Sequence, residues 1–162
     1  MANFADAIDP QQNVGDANSF MVRAQIEEAA AGSGNIRFLE FFPASKIPSV
    51  LAAADAHVVT VKRGLEGVVV PSKMYGIMAA GKPIVAVAPK ETDVVSLGVR
   101  RGLAVAADPD RPGEVVNAVR ALASDPTKLK AMGEAARAAA PDYDRVKELQ
   151  KFAEIINQLK NG

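Results

Sequence analysis

Ser72 and Lys73 stand side by side behind Pro71, at the head of the apolar helical run that begins with Met74. Serine in that position reads as an N-cap, and it leaves the backbone N–H groups of the first turn aimed at whatever lies above them. A helix start attracts anions. The ammonium of Lys73 adds a full positive charge to those N–H groups, so a phosphate is the guest that suits the pair. A plainer reading stands beside this one, because serine caps many helices that hold no ligand and a first-turn lysine is often only solvated.

The remaining chemistry-bearing residues read mostly as structure. His57 is the single histidine of a chain with no cysteine, so no metal site can be assembled around it, and a structural role in its strand is expected. Lys90-Glu91-Thr92-Asp93 follows an apolar run and opens a helix, where Thr92 or Asp93 can act as a cap. Arg100-Arg101 before Gly102 suits the negative end of a helix. Asp108, Asp110 and Asp125 lie in proline-containing stretches and read as turn residues, with no calcium-loop spacing among them. The sequence contains no Gly-x-Ser-x-Gly elbow, Walker loop or dinucleotide fingerprint.

The elements that must carry these residues alternate. Short, nearly continuous apolar runs at 36–41, 56–61, 83–88 and 103–106 read as strands covered on both faces, and segments of helical period lie at 45–54, 72–80, 92–101 and 112–123. This predicts an α/β fold, a Rossmann-like parallel sheet flanked by helices with right-handed crossovers. Residues 1–20 show no strand and form a weakly structured entry, followed by a helix over 21–31. The stretch 125–162 supplies two closing helices, with starts at Asp125-Pro126 and at Asp142 or Asp144. In the last helix Val146, Leu149, Phe152, Ile155, Ile156 and Leu159 form one apolar stripe, expected to dock on its own domain.

Length and composition bound the rest. With 162 residues, 49% of them hydrophobic and 23% charged, one domain spanning 1–162 is expected. The 19 basic residues cancel the 19 acidic ones, which argues against nucleic acid as a partner. The absence of cysteine, of a secretory leader and of any run of about 20 apolar residues points to a cytoplasmic protein with no transmembrane segment.

Four segments carry a resemblance: "VGDANSFMVRAQIEEAA", "NIRFLEFFPASKIPSVLAAADAHVVTV", "GVVVPSKMYGIMAAGKPIVAVAPKETDVVSLGVRRGLAVAADPDRPGEVVNAVRALASDP" and "KLKAMGEAARAAAPDYDRVKELQKFAEII". In this order they resemble the C-terminal, nucleotide-sugar-binding domain of retaining GT-B glycosyltransferases of group 1, also called family four. "PSKMYGIMAAGKPIVA" is similar to a subgroup with Pro-Ser-Lys at the donor-site helix, whose members often build bacterial surface polysaccharides. The resemblance implies that Ser72 and Lys73 meet the pyrophosphate of a UDP-sugar, with Met74 and Tyr75 lining the same turn. It places Glu66 and Gly67 near the donor sugar, Phe41 and Phe42 beside the base, Gly15-Asp16 at a turn near the cleft, and Lys90-Glu91-Thr92-Asp93 facing the cleft, a reading that stands beside the capping one. It implies no catalytic side chain in this chain, no metal and no cofactor beyond the donor itself. It further implies a cytoplasmic enzyme that can sit at the inner face of the membrane.

Two departures from the family pattern stand out. The glutamate that holds the ribose hydroxyls in many members falls at Gly76, and its partner glutamate falls at Val68, with Glu66 out of register. The strand-helix unit that opens the family's domain and supplies an arginine and a lysine to the leaving diphosphate has no counterpart here, and neither does the acceptor domain. Neutralising the departing diphosphate is what lowers the barrier to transfer, so turnover by this chain alone is not expected. Two other readings follow: a non-catalytic nucleotide-binding or protein-interaction module that pairs with an acceptor domain or a second copy through an open sheet edge, and a GT-B nucleotide-sugar epimerase, against which the single histidine argues.

Overall fold

The computed structural model describes residues 17–39, 42–69 and 71–160. By internal packing the chain divides into Met1–Ile47 and Pro48–Gly162. In the first unit, helix α1 spans Ala17–Ala29, starting earlier than the sequence pattern suggests, and Arg23 bonds Glu27 one turn on at 2.7 Å. It ends in a turn with Gly32 at φ 84°. The strand expected at 36–41 is not formed over its described residues 36–39, where Ile36, Phe38 and Leu39 are exposed. Alternating apolar residues become a strand only where a ladder partner takes up their backbone groups, and no described residue pairs with 36–39. The helix expected at 45–54 resolves into a 3-10 turn, Ala44–Lys46, that runs into α2, Ile47–Ala53.

The second unit holds a parallel sheet of β1 (His57–Thr60), β2 (Ile84–Val87) and β3 (Ala104–Ala107), in that order, with Val59 opposite Ala86 and Ala86 opposite Ala106. Helices α3 (Lys73–Ala79) and α4 (Asp93–Arg100) make the crossovers, and α5 (Pro112–Ala123) and α6 (Pro126–Ala139) follow the last strand. The central strand explains its own composition. Ile84 and Ala86 face a core that also holds Val59, Met74, Met78, Val94 and Leu103, while Val85 on the opposite face meets Leu122 and Met132. A strand buried on both sides has no polar face, which is why "IVAV" shows no alternation.

Two glycines set helix distances. A Cβ on Gly98 of α4 would lie 2.6 Å from the Ala104 methyl, and one on Gly133 of α6 would lie 2.6 Å from the carbonyl oxygen of Gly81 in the turn before β2. Helix α6 begins as its sequence suggests, with Pro126 in the first turn and the Asp125 carboxylate accepting from the Lys128 N–H at 2.8 Å. The chain then passes through a 3-10 turn, Ala140–Tyr143, into α7, Arg145–Lys160, whose start is capped by Asp144 through the N–H groups of Val146 and Lys147.

The apolar stripe of α7 does not dock on its own domain as expected. Val146, Leu149, Phe152, Ile155, Ile156 and Leu159 are all exposed, from 38% for Ile156 to 74% for Leu159. Periodicity specifies one apolar face and leaves open what covers it.

Candidate functional site

Because the three strands are parallel, their carboxyl ends share one edge, the edge at which ligands of open α/β sheets bind. Three connections leave it: residues 61–72 after β1, 88–92 after β2 and 108–111 after β3. The sequence-predicted residues Glu66, Gly67, Ser72 and Lys73 all belong to the first of these or to the helix it enters.

Ser72 does not cap α3 with its side chain. Its backbone is already helical at φ −55°, ψ −25°, with no side-chain cap hydrogen bond, and its carbonyl accepts from Tyr75 N–H at 3.2 Å. The hydroxyl is left exposed and without a partner among the described residues, as is the ammonium of Lys73. Met74 is 1% exposed in the core, so only its backbone is available at the turn. Tyr75 is half-buried, its ring 5.3 Å from that of Tyr143, and burial, then Asp93, then Tyr143, push its phenol above the ordinary value. Glu66 folds back on its own loop and accepts from the Gly64 N–H at 2.8 Å, and Gly67 holds φ 73°, a conformation that disfavours any side chain. Phe42 is partly exposed in the first unit. Gly15 and Phe41 lie outside the described residues. At Gly76, where the resemblance leads one to look for glutamate, a Cβ would stand 3.2 Å from Leu51 Cδ1, so a larger residue requires that leucine to yield.

A cavity of about 500 Å³ opens at the same edge between the ends of β2 and β3, bordered by Arg63, Pro89, Lys90, Glu91, Asp108 and Glu114. Its walls hold a network that spacing in the sequence gives no means of finding. Arg63 Nε donates to Asp110 Oδ2 at 2.6 Å and its Nη2 to Asp108 Oδ1 at 3.0 Å. Asp108 Oδ1 also accepts from the Asp110 N–H at 2.9 Å, and the Asp108 N–H donates to Glu114 Oε2 at 3.0 Å. Arg111 closes the chain on Glu114 at 3.1 Å.

These bonds to N–H groups, with the cations beside them, hold both the Asp108 and Glu114 carboxyls below their ordinary values of 3.8 and 4.5. A carboxylate depressed in the folded state contributes stability that is complete above its ordinary value and drains away as pH falls through the folded one. The bonds to the Asp108 and Glu114 carboxylates are therefore expected to survive from neutral pH down to the ordinary carboxylate range and to be lost only below it. Side-chain carboxyl shifts followed by NMR against pH check this, and midpoints at or above the ordinary values would contradict it.

The other candidates are structural. The Thr92 hydroxyl is buried and donates to the Pro89 carbonyl at 2.6 Å, so it does not cap α4. His57 Nε2 lies 2.9 Å from the Leu51 carbonyl oxygen and must carry the proton there, which gives the histidine the structural role expected of it. Among the described residues no group of three His, Asp or Glu side chains is placed to hold a metal ion, and no helix is long and apolar enough to cross a membrane.

Comparison with known proteins adds a family to this geometry. A candidate colanic acid biosynthesis glycosyl transferase of Escherichia coli (strain K12), WcaI, is 32% identical over 102 residues, 60% of this chain and 25% of that protein. A candidate glycosyltransferase of Pseudomonas aeruginosa, WbjE, is 35% identical over 77 residues, 48% of this chain and 19% of that protein. The chain thus spans about a quarter or less of the length of these curated relatives. No solved structure matches significantly. The profile described as "Glycosyl transferases group 1" matches residues 12–125, more than half of the chain, and the chain therefore belongs to that glycosyltransferase family.

Proposed function

We propose that this chain is the donor-binding half of a retaining GT-B glycosyltransferase of the Pro-Ser-Lys subgroup, holding the diphosphate of a UDP-sugar at the carboxyl edge of its sheet. The observation that carries this reading is the pair Ser72 and Lys73, both exposed and unpartnered among the described residues, where the loop after β1 enters α3. Membership of the family supports it, as does a relative named for colanic acid biosynthesis, which suggests an acceptor in surface polysaccharide synthesis. In the complete enzyme the bond from the anomeric carbon to the diphosphate oxygen breaks and its electron pair leaves with the diphosphate. The acceptor hydroxyl oxygen then takes that place and its proton passes to the departing diphosphate. Ser72 and Lys73 would hold the departing group through charge-assisted hydrogen bonds.

Calorimetric titration of UDP, with GDP and ADP as controls, tests the reading. UDP is expected to bind preferentially, and Lys73→Ala to weaken it by about tenfold, the loss of one charge-assisted hydrogen bond of roughly 1.5 kcal/mol. Ser72→Ala is expected to weaken it by less, in proportion to a neutral hydrogen bond. Absence of binding by any nucleotide at millimolar concentration from a folded sample would sink the proposal. It would leave the second reading, a non-catalytic interaction module, which is favoured by β1 having a strand neighbour on one side only among the described residues.

A further inference from the structure

The loop after β1 is poorly held by its own side chains. Leu65, Val68 and Val69 are exposed, and Gly64 and Gly67 both take positive φ, 87° and 73°. The hydrogen bonds within it are short-range: Leu65 N–H to Lys62, Val68 and Val69 N–H to Leu65, and Gly64 N–H to the Glu66 carboxylate. A segment with few buried apolar contacts and exposed backbone bonds opens at little cost, so something else must fix its position.

Arg63 reaches out of this segment to the connection after β3. Its guanidinium presents a rigid planar fork of donors, here divided between two carboxylates, Asp110 at 2.6 Å and Asp108 at 3.0 Å, which lie 47 and 45 residues further along the chain. The receiving side is fixed in advance. Asp108 is bonded to the Asp110 N–H and, through its own N–H, to Glu114 in the first turn of α5, and Glu114 is held in turn by Arg111. We propose that Arg63 is a positioning residue that locks the loop after β1, and with it Glu66 and Gly67, against the Asp108–Asp110 turn at the carboxyl edge.

An isolated exposed ion pair adds little to global stability, and this network is expected to matter through the order of the loop. Where that loop meets the sugar of a bound donor, an idea that rests on the proposed function, the lock sets how well the site distinguishes a UDP-sugar from UDP. Lysine is no substitute, since one ammonium on a flexible stem does not reproduce a fork spread over two acceptors.

Hydrogen exchange of the whole chain, without ligand, tests the lock on its own. In Arg63→Gln and in Arg63→Lys the hydrogen-bonded amides of Gly64, Leu65, Val68 and Val69 are expected to exchange about tenfold or more faster, while those of β2 and the melting temperature stay unchanged. The same amides in the unaltered protein should speed up when the salt is raised to screen the pair. Unchanged exchange in Arg63→Gln would overturn the proposal. A second arm compares UDP-glucose with UDP: Arg63→Gln is expected to lower affinity for the sugar nucleotide about tenfold and for UDP by less than about twofold. Equal losses for both ligands would overturn the role in sugar discrimination. If the unaltered chain binds no nucleotide, the donor-binding reading fails, while the exchange data still decide whether Arg63 locks the loop.

Discussion

Gly133→Ala is expected to destabilise the protein by about 2–3 kcal/mol, although alanine is the better helix former by about 1 kcal/mol. The added methyl would lie 2.6 Å from the carbonyl oxygen of Gly81, a backbone atom with no rotamer to change. Gly81 is itself at φ 67°, in the turn that delivers Pro83 and Ile84 into the sheet, and a Cβ built on it would lie 2.7 Å from the Arg137 guanidinium. Helix α6 must therefore lift away, and Met132 and Ala136, on either side of Gly133 in sequence and both buried, lose packing with it. Overpacking outweighs propensity here. Thermal unfolding should fall by about 5–10 °C for a protein of this size. A melting temperature at or above the parent value would mean that α6 slides without cost, and that the close approach is not what spaces the helix.

Met78→Ala should cost about as much or more, roughly 3–4 kcal/mol, by the opposite route. Met78 is fully buried and packs in the cluster that includes Ile77, Ile84, Val94 and Leu103. Truncation removes most of its apolar surface and leaves a void that the strands beside it fill only in part. Total stabilities of 5–15 kcal/mol make that a large fraction. Urea denaturation checks it, and a loss below about 1 kcal/mol would mean that the neighbouring side chains collapse into the space. Since α3 begins at Lys73, nucleotide affinity measured well below the melting temperature serves as a control, and Met78→Ala should leave it nearly intact.

The sequence was most legible where local pattern and tertiary surroundings agreed. Residues 112–123 form α5 as the pattern indicates, and Asp125-Pro126 starts α6 with the expected cap. The runs around Val85 and Val59 are strands, shorter by a residue or so at each end than their apolar character. It was least legible where an element needs a partner. Phe38 and Leu39 carry strand chemistry with no ladder to join, and Phe152 and Leu159 carry a helix face that nothing described covers. At the candidate site, Ser72 and Lys73 could be found because helix starts have a local signature. The Arg63 network could not, because a contact between residues 45 apart depends on the loops after β1 and β3, the strands on either side of β2, leaving the sheet at the same edge. The reading of Ser72 as a capping side chain was wrong: the residue sits in helical backbone geometry, and its hydroxyl stays unused by the helix.

The bond between His57 and the Leu51 carbonyl gives the molecule a built-in spectroscopic marker. A chain with one histidine yields one set of imidazole resonances, and here the ring directs Nε2 at a backbone carbonyl 2.9 Å away. Leu51 also lies where any side chain added at Gly76 would touch it, so the imidazole is one leucine away from the helix that opens with Lys73. A ligand that shifts α3 by even a fraction of an ångström moves that signal, and a titration can be read from a single peak without any label being introduced.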